Sequence, residues 1–319
     1  MKKFISKIAV FLFPLMLVII VLFITGRNLH HFQPSNMYYY QEFEAAFSEN
    51  SNFDVVLIGN SKLLSAIDKK KMEENNKHSV ANLGYSSSNI SVSKLTLESY
   101  LNNCSNNPKL VLLEVSWFTF SDKRTKLHDI VGDLFMRDFK LWKNYFRYNT
   151  ALLPIIKKSW IVSLKNNIRG KHSIKQTSYA VRFKESTPYS IDYRFDPKEM
   201  EAIFPDHIAG INESLLNDFY SIVHICKTRN IDLILFTAPE DENYSKLQKD
   251  ILEVKKVFHD VASANQSVFY LDYSLGGNLY NKKFEKWLAN SHHINENNLF
   301  STELLDDIKA CTHNSIYKK

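Results

Sequence analysis

Cysteine is scarce, with three in 319 residues. The odd count and the lack of any C-x-x-C spacing argue against a disulfide framework or a metal cluster, so Cys104, Cys226 and Cys311 read as structural thiols. No G-x-x-x-x-G-K-[ST] occurs, which excludes a P-loop. The G-x-S-x-G elbow is missing too, because Leu63 stands where its second glycine would be. The formal net charge is only +6, the lysines are scattered among acids, and no aromatic-and-basic motif of an RNA or DNA module appears. A nucleic-acid partner is therefore not expected. Internal repeats and low-complexity tracts are also absent.

The chain does have enough apolar residues, 45%, for one sizeable core. Residues 8–25, IAVFLFPLMLVIIVLFIT, carry no charge and follow Lys2, Lys3 and Lys7. A run of about 18 to 20 apolar residues spans the hydrocarbon layer as a helix, and lysines ahead of it keep the N-terminus in the cytoplasm. A cleaved signal peptide is the alternative, but the following GRNLHHFQ offers no small-x-small site. The expected organisation is a cytoplasmic tip and transmembrane anchor over 1–26 and a stalk over 27–50. The main domain, 51–319, then lies outside the cytoplasm. Within the stalk, HFQPSN is a breaker and YYYQEFEAAF a short helix.

Apolar β-rich runs at 54–58, 79–83, 110–115, 231–237 and 267–272 alternate with helical patterns at 63–75, 89–103, 213–228 and 244–264. Such alternation predicts an α/β fold, a three-layer α/β/α sandwich of about five parallel strands. Residues 118–212 interrupt it. They are far longer than the dozen or so residues a parallel crossover needs, so they read as a helical insertion. Rich in aromatic and basic residues, the insertion is a lid or substrate platform, or else a surface facing the membrane or a partner.

Two stretches carry candidate chemistry. In VVLIGNSKLLSAID, residues 55–68, a strand runs into Gly59, Asn60 and Ser61 before a helical pattern resumes. Loops at the carboxyl ends of parallel strands collect catalytic groups, which makes Ser61 a candidate nucleophile; its other reading is a helix cap. Near the C-terminus, WLANSHHINENNLF holds Asn290 and His293 ahead of an amphipathic helix from about Leu299. On a helical turn positions i and i+3 share a face, so Asn290 would steady the imidazole of His293, a candidate general base. Pro239 and Glu240, after the fourth strand, read as a turn or as a wall of the pocket.

These blocks resemble the SGNH/GDSL hydrolase superfamily, especially its membrane-anchored bacterial branch linked to acylation of envelope polysaccharides. Gly59-Asn60-Ser61-Lys62-Leu63 is similar to its nucleophile block, and Ala81-Asn82-Leu83-Gly84-Tyr85-Ser86 to the block whose glycine serves the oxyanion hole. Asn290-Ser291-His292-His293-Ile294-Asn295 is similar to its D-x-x-H block. The resemblance covers 54–116 and 213–310 and implies a flavodoxin-like fold. It also implies a catalytic set of Ser61, His293 and Asn290, an oxyanion hole of the Ser61 and Gly84 amides with Asn60, and no cofactor or metal. Asn290 stands where the family has aspartate. Glu114-Val115-Ser116-Trp117-Phe118 replaces its asparagine block and is similar instead to the teichoic-acid D-alanyl-transfer protein. Ser116 and Asn89 are further candidate donors to the oxyanion, and Asp272 is a candidate substitute carboxylate.

By that resemblance, Ser61 attacks an ester carbonyl, and water or a sugar hydroxyl resolves the acyl-enzyme, giving an esterase or an O-acyltransferase. The implied partners are an acylated glycan or envelope polymer, the membrane, and a membrane-bound acyltransferase. The competing reading is a catalytically inactive domain that binds a glycan or such a partner, with Asn290 as the trace of lost activity.

Overall fold

Short runs of β-branched and aliphatic residues form β1 (Val55–Ile58), β2 (Val80–Asn82), β3 (Leu110–Glu114), β4 (Asp232–Thr237) and β5 (Val268–Asp272). They make one parallel sheet in the order β2-β1-β3-β4-β5. Every residue of these strands except Phe269 is buried, as expected where helices cover both faces. This computed structural model describes residues 51–120 apart from 77, 86 and 87. Beyond them it describes 210–240, 242–246, 248, 251–280, 287–288, 293–294 and 297–311, with 13, 17, 42, 45 and 46 nearer the N-terminus.

The helices are α1 (Ser61–Ala66), α2 (Lys69–Asn76), α3 (Ile90–Asn103), α4 (Glu213–Thr228), α5 (Glu242–Ser245), α6 (Ile251–Ala264) and α7 (Asn297–Cys311). Side chains alternate across each strand. Val55, Leu57, Leu110, Leu112, Ile234 and Phe236 therefore point to one face, where they pack with Leu63 and Ala66 of α1, Met72 of α2, and Phe300, Leu304 and Ile308 of α7. On the other, Phe120, Phe219 of α4, Phe258 of α6 and Tyr270 of β5 meet ring to ring, with centroids 5.5 to 5.6 Å apart. Each large side chain so buried contributes about 2 kcal/mol of transfer free energy. Helix α3 packs on α4, and between them the buried Asp218 carboxylate takes Lys94 Nζ at 2.9 Å and Ser91 Oγ at 2.6 Å.

Two expected helices are each broken in two. Ile67 is extended, and Asp68 restarts the chain as α2, its carboxylate accepting from Lys71 N at 3.3 Å while its own amide reaches Ser301 Oγ on α7 at 2.8 Å. The 244–264 pattern divides into α5 and α6, and Gln248 between them turns inward to Glu240. A third departure concerns the C-terminal block. His293 lies in a two-residue strand, β7 (His293–Ile294), paired antiparallel with β6 (Trp287–Leu288), so the helical i, i+3 argument does not apply to it. Asn290 lies outside the described residues.

Most of the 118–212 insertion lies outside them too, but its ends meet: the Asn212 amide donates to the Phe120 carbonyl at 3.2 Å. The excursion thus leaves and rejoins the sheet at one point, and α4 supplies an ordinary crossover to β4. Two compact units divide the chain, Met1–Met37 with Leu127–Lys175, and Tyr38–Lys126 with Gln176–Lys319. Of the first, Phe13 and Leu17 are described; both are helical and exposed. The remainder of the expected anchor lies outside the described residues, among which no helix is long and apolar enough to cross a membrane. In the expected stalk, residues 42, 45 and 46 are helical, and Glu42 holds Lys69 of α2 at 2.8 Å.

Candidate active site

The strand order reverses between β1 and β3, since the chain moves outward from β1 to β2 and then returns past β1. Splayed connections at such a switch point open a crevice at the carboxyl edge of the sheet. Gly59, Asn60 and Ser61 lie there, after β1, and Glu114 ends β3 beside them. Gly59 has φ +155°, and a Cβ added to it would stand 2.7 Å from Glu114 Cβ. Only glycine lets the two strand ends approach this closely.

The capping question is answered by Asn60. Its Oδ1 accepts from Lys62 N at 2.8 Å, which makes Asn60 the N-cap of α1 and Ser61 the first helical residue, partly exposed. The Ser61 N–H belongs to the first turn of α1. Asn60 Nδ2 also donates to Glu114 Oε2 at 2.5 Å, so both ends of the Asn60 amide are engaged.

Gly84 follows β2 by one residue, beside this turn. Leu83 N donates to Leu57 O at 2.8 Å and Tyr85 N to Gly59 O at 2.9 Å, and a Cβ on Gly84 would meet Leu63 Cδ2 at 2.7 Å. Its amide donates to Asn82 Oδ1 at 3.1 Å, so binding an oxyanion there requires exchange of that bond. Asn89 Oδ1 caps α3, accepting from Val92 N at 3.2 Å. The Ser116 amide donates to Thr119 Oγ1 at 2.8 Å in the turn that follows β3. Asp272 pairs with Lys255 at 2.9 Å and accepts from Ser274 Oγ at 2.6 Å. It ends β5, three strands from β1 in the sheet order, with its carboxylate engaged by these two partners.

Strand β7 lies against α1, so the His293 backbone runs beside the helix that Ser61 opens. These two residues are 232 positions apart, and the fold gathers their elements on one side of the sheet.

Sequence reasoning missed the buried charges under the site. Lys62, Glu114 and Glu240 are each 3% exposed or less. The Lys62 ammonium pairs with Glu240 and sits 5.3 Å from the centre of the Phe118 ring. Glu240 Oε2 also accepts from Gln248 Nε2 at 2.5 Å and Ser245 Oγ at 3.3 Å, so Glu240 anchors the loop after β4. Burial pushes the Glu114 carboxyl up to about 7, against the opposing pull of the Lys62 charge and of its bond from Asn60. The available signal was charge inside apolar context: Lys62 ahead of Leu63 and Leu64, and Glu114 closing Leu110–Leu113.

No family model matches the chain, and neither does any curated protein. Among solved structures it is similar to a provisionally assigned acylhydrolase from Bacteroides fragilis, with 12% identity, TM-score 0.40, and coverage of 86% of this chain and 94% of that one. Another is a provisionally assigned platelet activating factor protein from Streptococcus pneumonia, with 12% identity, TM-score 0.39, and coverage of 95% and 99%. A third is an active-site mutant of a family two carbohydrate esterase from Clostridium thermocellum, with 8% identity, TM-score 0.34, and coverage of 80% and 63%. Likenesses this weak assign neither mechanism nor substrate.

Proposed function

We propose that this chain is a membrane-anchored, extracytoplasmic serine ester hydrolase or O-acyltransferase of SGNH type, acting on an acylated cell-envelope glycan or polymer. The observation that carries the reading is the juxtaposition of α1, opened by Ser61, with β7, which holds His293. His293 takes the Ser61 proton as Oγ attacks the ester carbonyl, and the amides at Ser61 and Gly84 receive the oxyanion. The imidazolium then returns the proton to the leaving alcohol. Water completes hydrolysis of the acyl-enzyme; a sugar hydroxyl completes transfer. Asn290 orients the imidazole in the place of an aspartate. Phe13 and Leu17, exposed and one helical turn apart, suit the lipid-facing side of the anchor.

One observation favours the alternative, an inactive domain that binds a glycan or a partner acyltransferase: the Gly84 amide is already bonded to Asn82. A fluorophosphonate probe on the full-length chain separates the two. Catalysis predicts covalent label on Ser61 and turnover of an aryl acetate, both lost in Ser61→Ala. The binding reading predicts neither signal in the wild type.

A further inference from the structure

Ser61 stands between two residues that are both pinned from below. Asn60 is held through Nδ2 by Glu114, and Lys62 is held through its ammonium by Glu240. This floor contains one cation and two carboxyl groups, all buried. A buried charge persists when it is paired, and the pair here is Lys62 with Glu240, whose second oxygen takes two further donors. Glu114 accepts from the neutral amide of Asn60 at 2.5 Å, and the Lys62 charge also acts on it.

Resting on the reading of Ser61 as nucleophile, we propose that Glu114 is a positioning residue for Ser61, acting through Asn60, and that it does so as the neutral carboxylic acid. The neutral acid accepts from Asn60 without placing a net charge beneath the centre where an anionic intermediate forms. Ionised, the same group sets a negative charge one side chain away from that intermediate and opposes it. The titratable and charged groups that bear on Glu114 are Lys62 on α1, which favours ionisation, and Tyr270 on β5, a phenol raised by its own burial; Glu240 on the loop after β4 is reached through Lys62. With the Glu114 carboxyl raised to about 7, the change from helpful acid to opposing anion falls in the neutral range.

The test is the pH dependence of fluorophosphonate labelling at Ser61 in the full-length chain in mild detergent, for wild type, Glu114→Gln and Glu114→Ala. The wild-type rate should rise as histidine deprotonates and then fall above neutrality. Glu114→Gln, which keeps a neutral acceptor and donor, should label within about threefold of wild type at pH 6 and lose the alkaline fall. Glu114→Ala should label at least about tenfold more slowly at every pH. Loss of labelling in Glu114→Gln across the whole range, or an alkaline fall that persists in it, overturns the proposal. Infrared difference spectra against Glu114→Gln need no activity. A protonated carboxyl band at pH 6 that fades by pH 9 supports the proposal, and its absence at pH 6 refutes it. A wild-type chain that takes no label at any pH refutes the nucleophile reading itself, and the infrared band separately decides the protonation of Glu114.

Discussion

Replacing Lys62 by methionine removes the cation of the buried floor and leaves a side chain of similar length, so little of the effect comes from a cavity. Both partners of the lost pair are essentially inaccessible, Lys62 at 0% and Glu240 at 1% side-chain exposure. The variant leaves Glu240 with two neutral donors, Gln248 and Ser245, in place of an ammonium. Breaking a buried pair from one side costs about 3 to 5 kcal/mol. Loss of the contact with the Phe118 ring adds roughly 1 kcal/mol. Against a total stability of about 5 to 15 kcal/mol, that brings the domain close to unfolding. The penalty should also depend on pH, because an uncompensated buried carboxylate escapes its cost by taking up a proton. Denaturant unfolding of wild type and variant at pH 8 and pH 5, followed by tryptophan fluorescence, should give a difference of about 4 kcal/mol at the higher pH and less than half of it at the lower. Replacing both residues, Lys62→Met with Glu240→Leu, should recover much of the loss, since the Lys62–Glu240 pair is then removed from both sides. A Lys62→Met chain within about 1 kcal/mol of wild type at pH 8, or a penalty equal at the two pH values, refutes the picture of a charge-compensated floor.

Gly59→Ala should destabilise the chain by about 2 kcal/mol or more and slow labelling of Ser61, as read by thermal melting and probe kinetics, because its Cβ would press on Glu114. Asn60→Ala removes the cap of α1 and the partner of Glu114 together, for an expected loss of about 2 kcal/mol in denaturant unfolding. Glu114 also makes stability depend on pH. Its folded-state carboxyl lies above the ordinary value of 4.5, at about 7. The unfolded chain therefore ionises first, and wild-type stability falls as pH rises between these values, by on the order of 3 kcal/mol, then levels off. Glu114→Gln should lack that fall in melting curves taken across the same range.

The sheet was readable because its signal is local and redundant. A strand covered on both faces must be apolar throughout, and Val55–Ile58, Leu110–Leu113 and Leu233–Phe236 are. Helix α4 was also plain, bounded by Asn212 as cap and by Asn230 at φ +55° just beyond its end. Helix breaks were not, because they depend on distant partners: Asp68 answers to Ser301, and Gln248 turns toward Glu240. The same holds at the site. Ser61 and Gly84 could be picked out as polar or small residues directly after strands, whereas the strand containing His293 is fixed by pairing with Trp287–Leu288, which periodicity does not reveal. Lys62, Glu114 and Glu240 lie far apart in the chain and become one cluster only when β1, β3 and β4 stand side by side.

Central to this account is that Ser61 is a nucleophile served by His293, and covalent capture tests that directly. The full-length chain is exposed to a fluorophosphonate, digested, and the modified peptide identified by mass spectrometry, with Ser61→Ala and His293→Ala in parallel. Label confined to the peptide holding Ser61, absent from Ser61→Ala and slowed at least about a hundredfold in His293→Ala, is the expected result. Label that persists in Ser61→Ala, or its absence from the wild type, contradicts the claim.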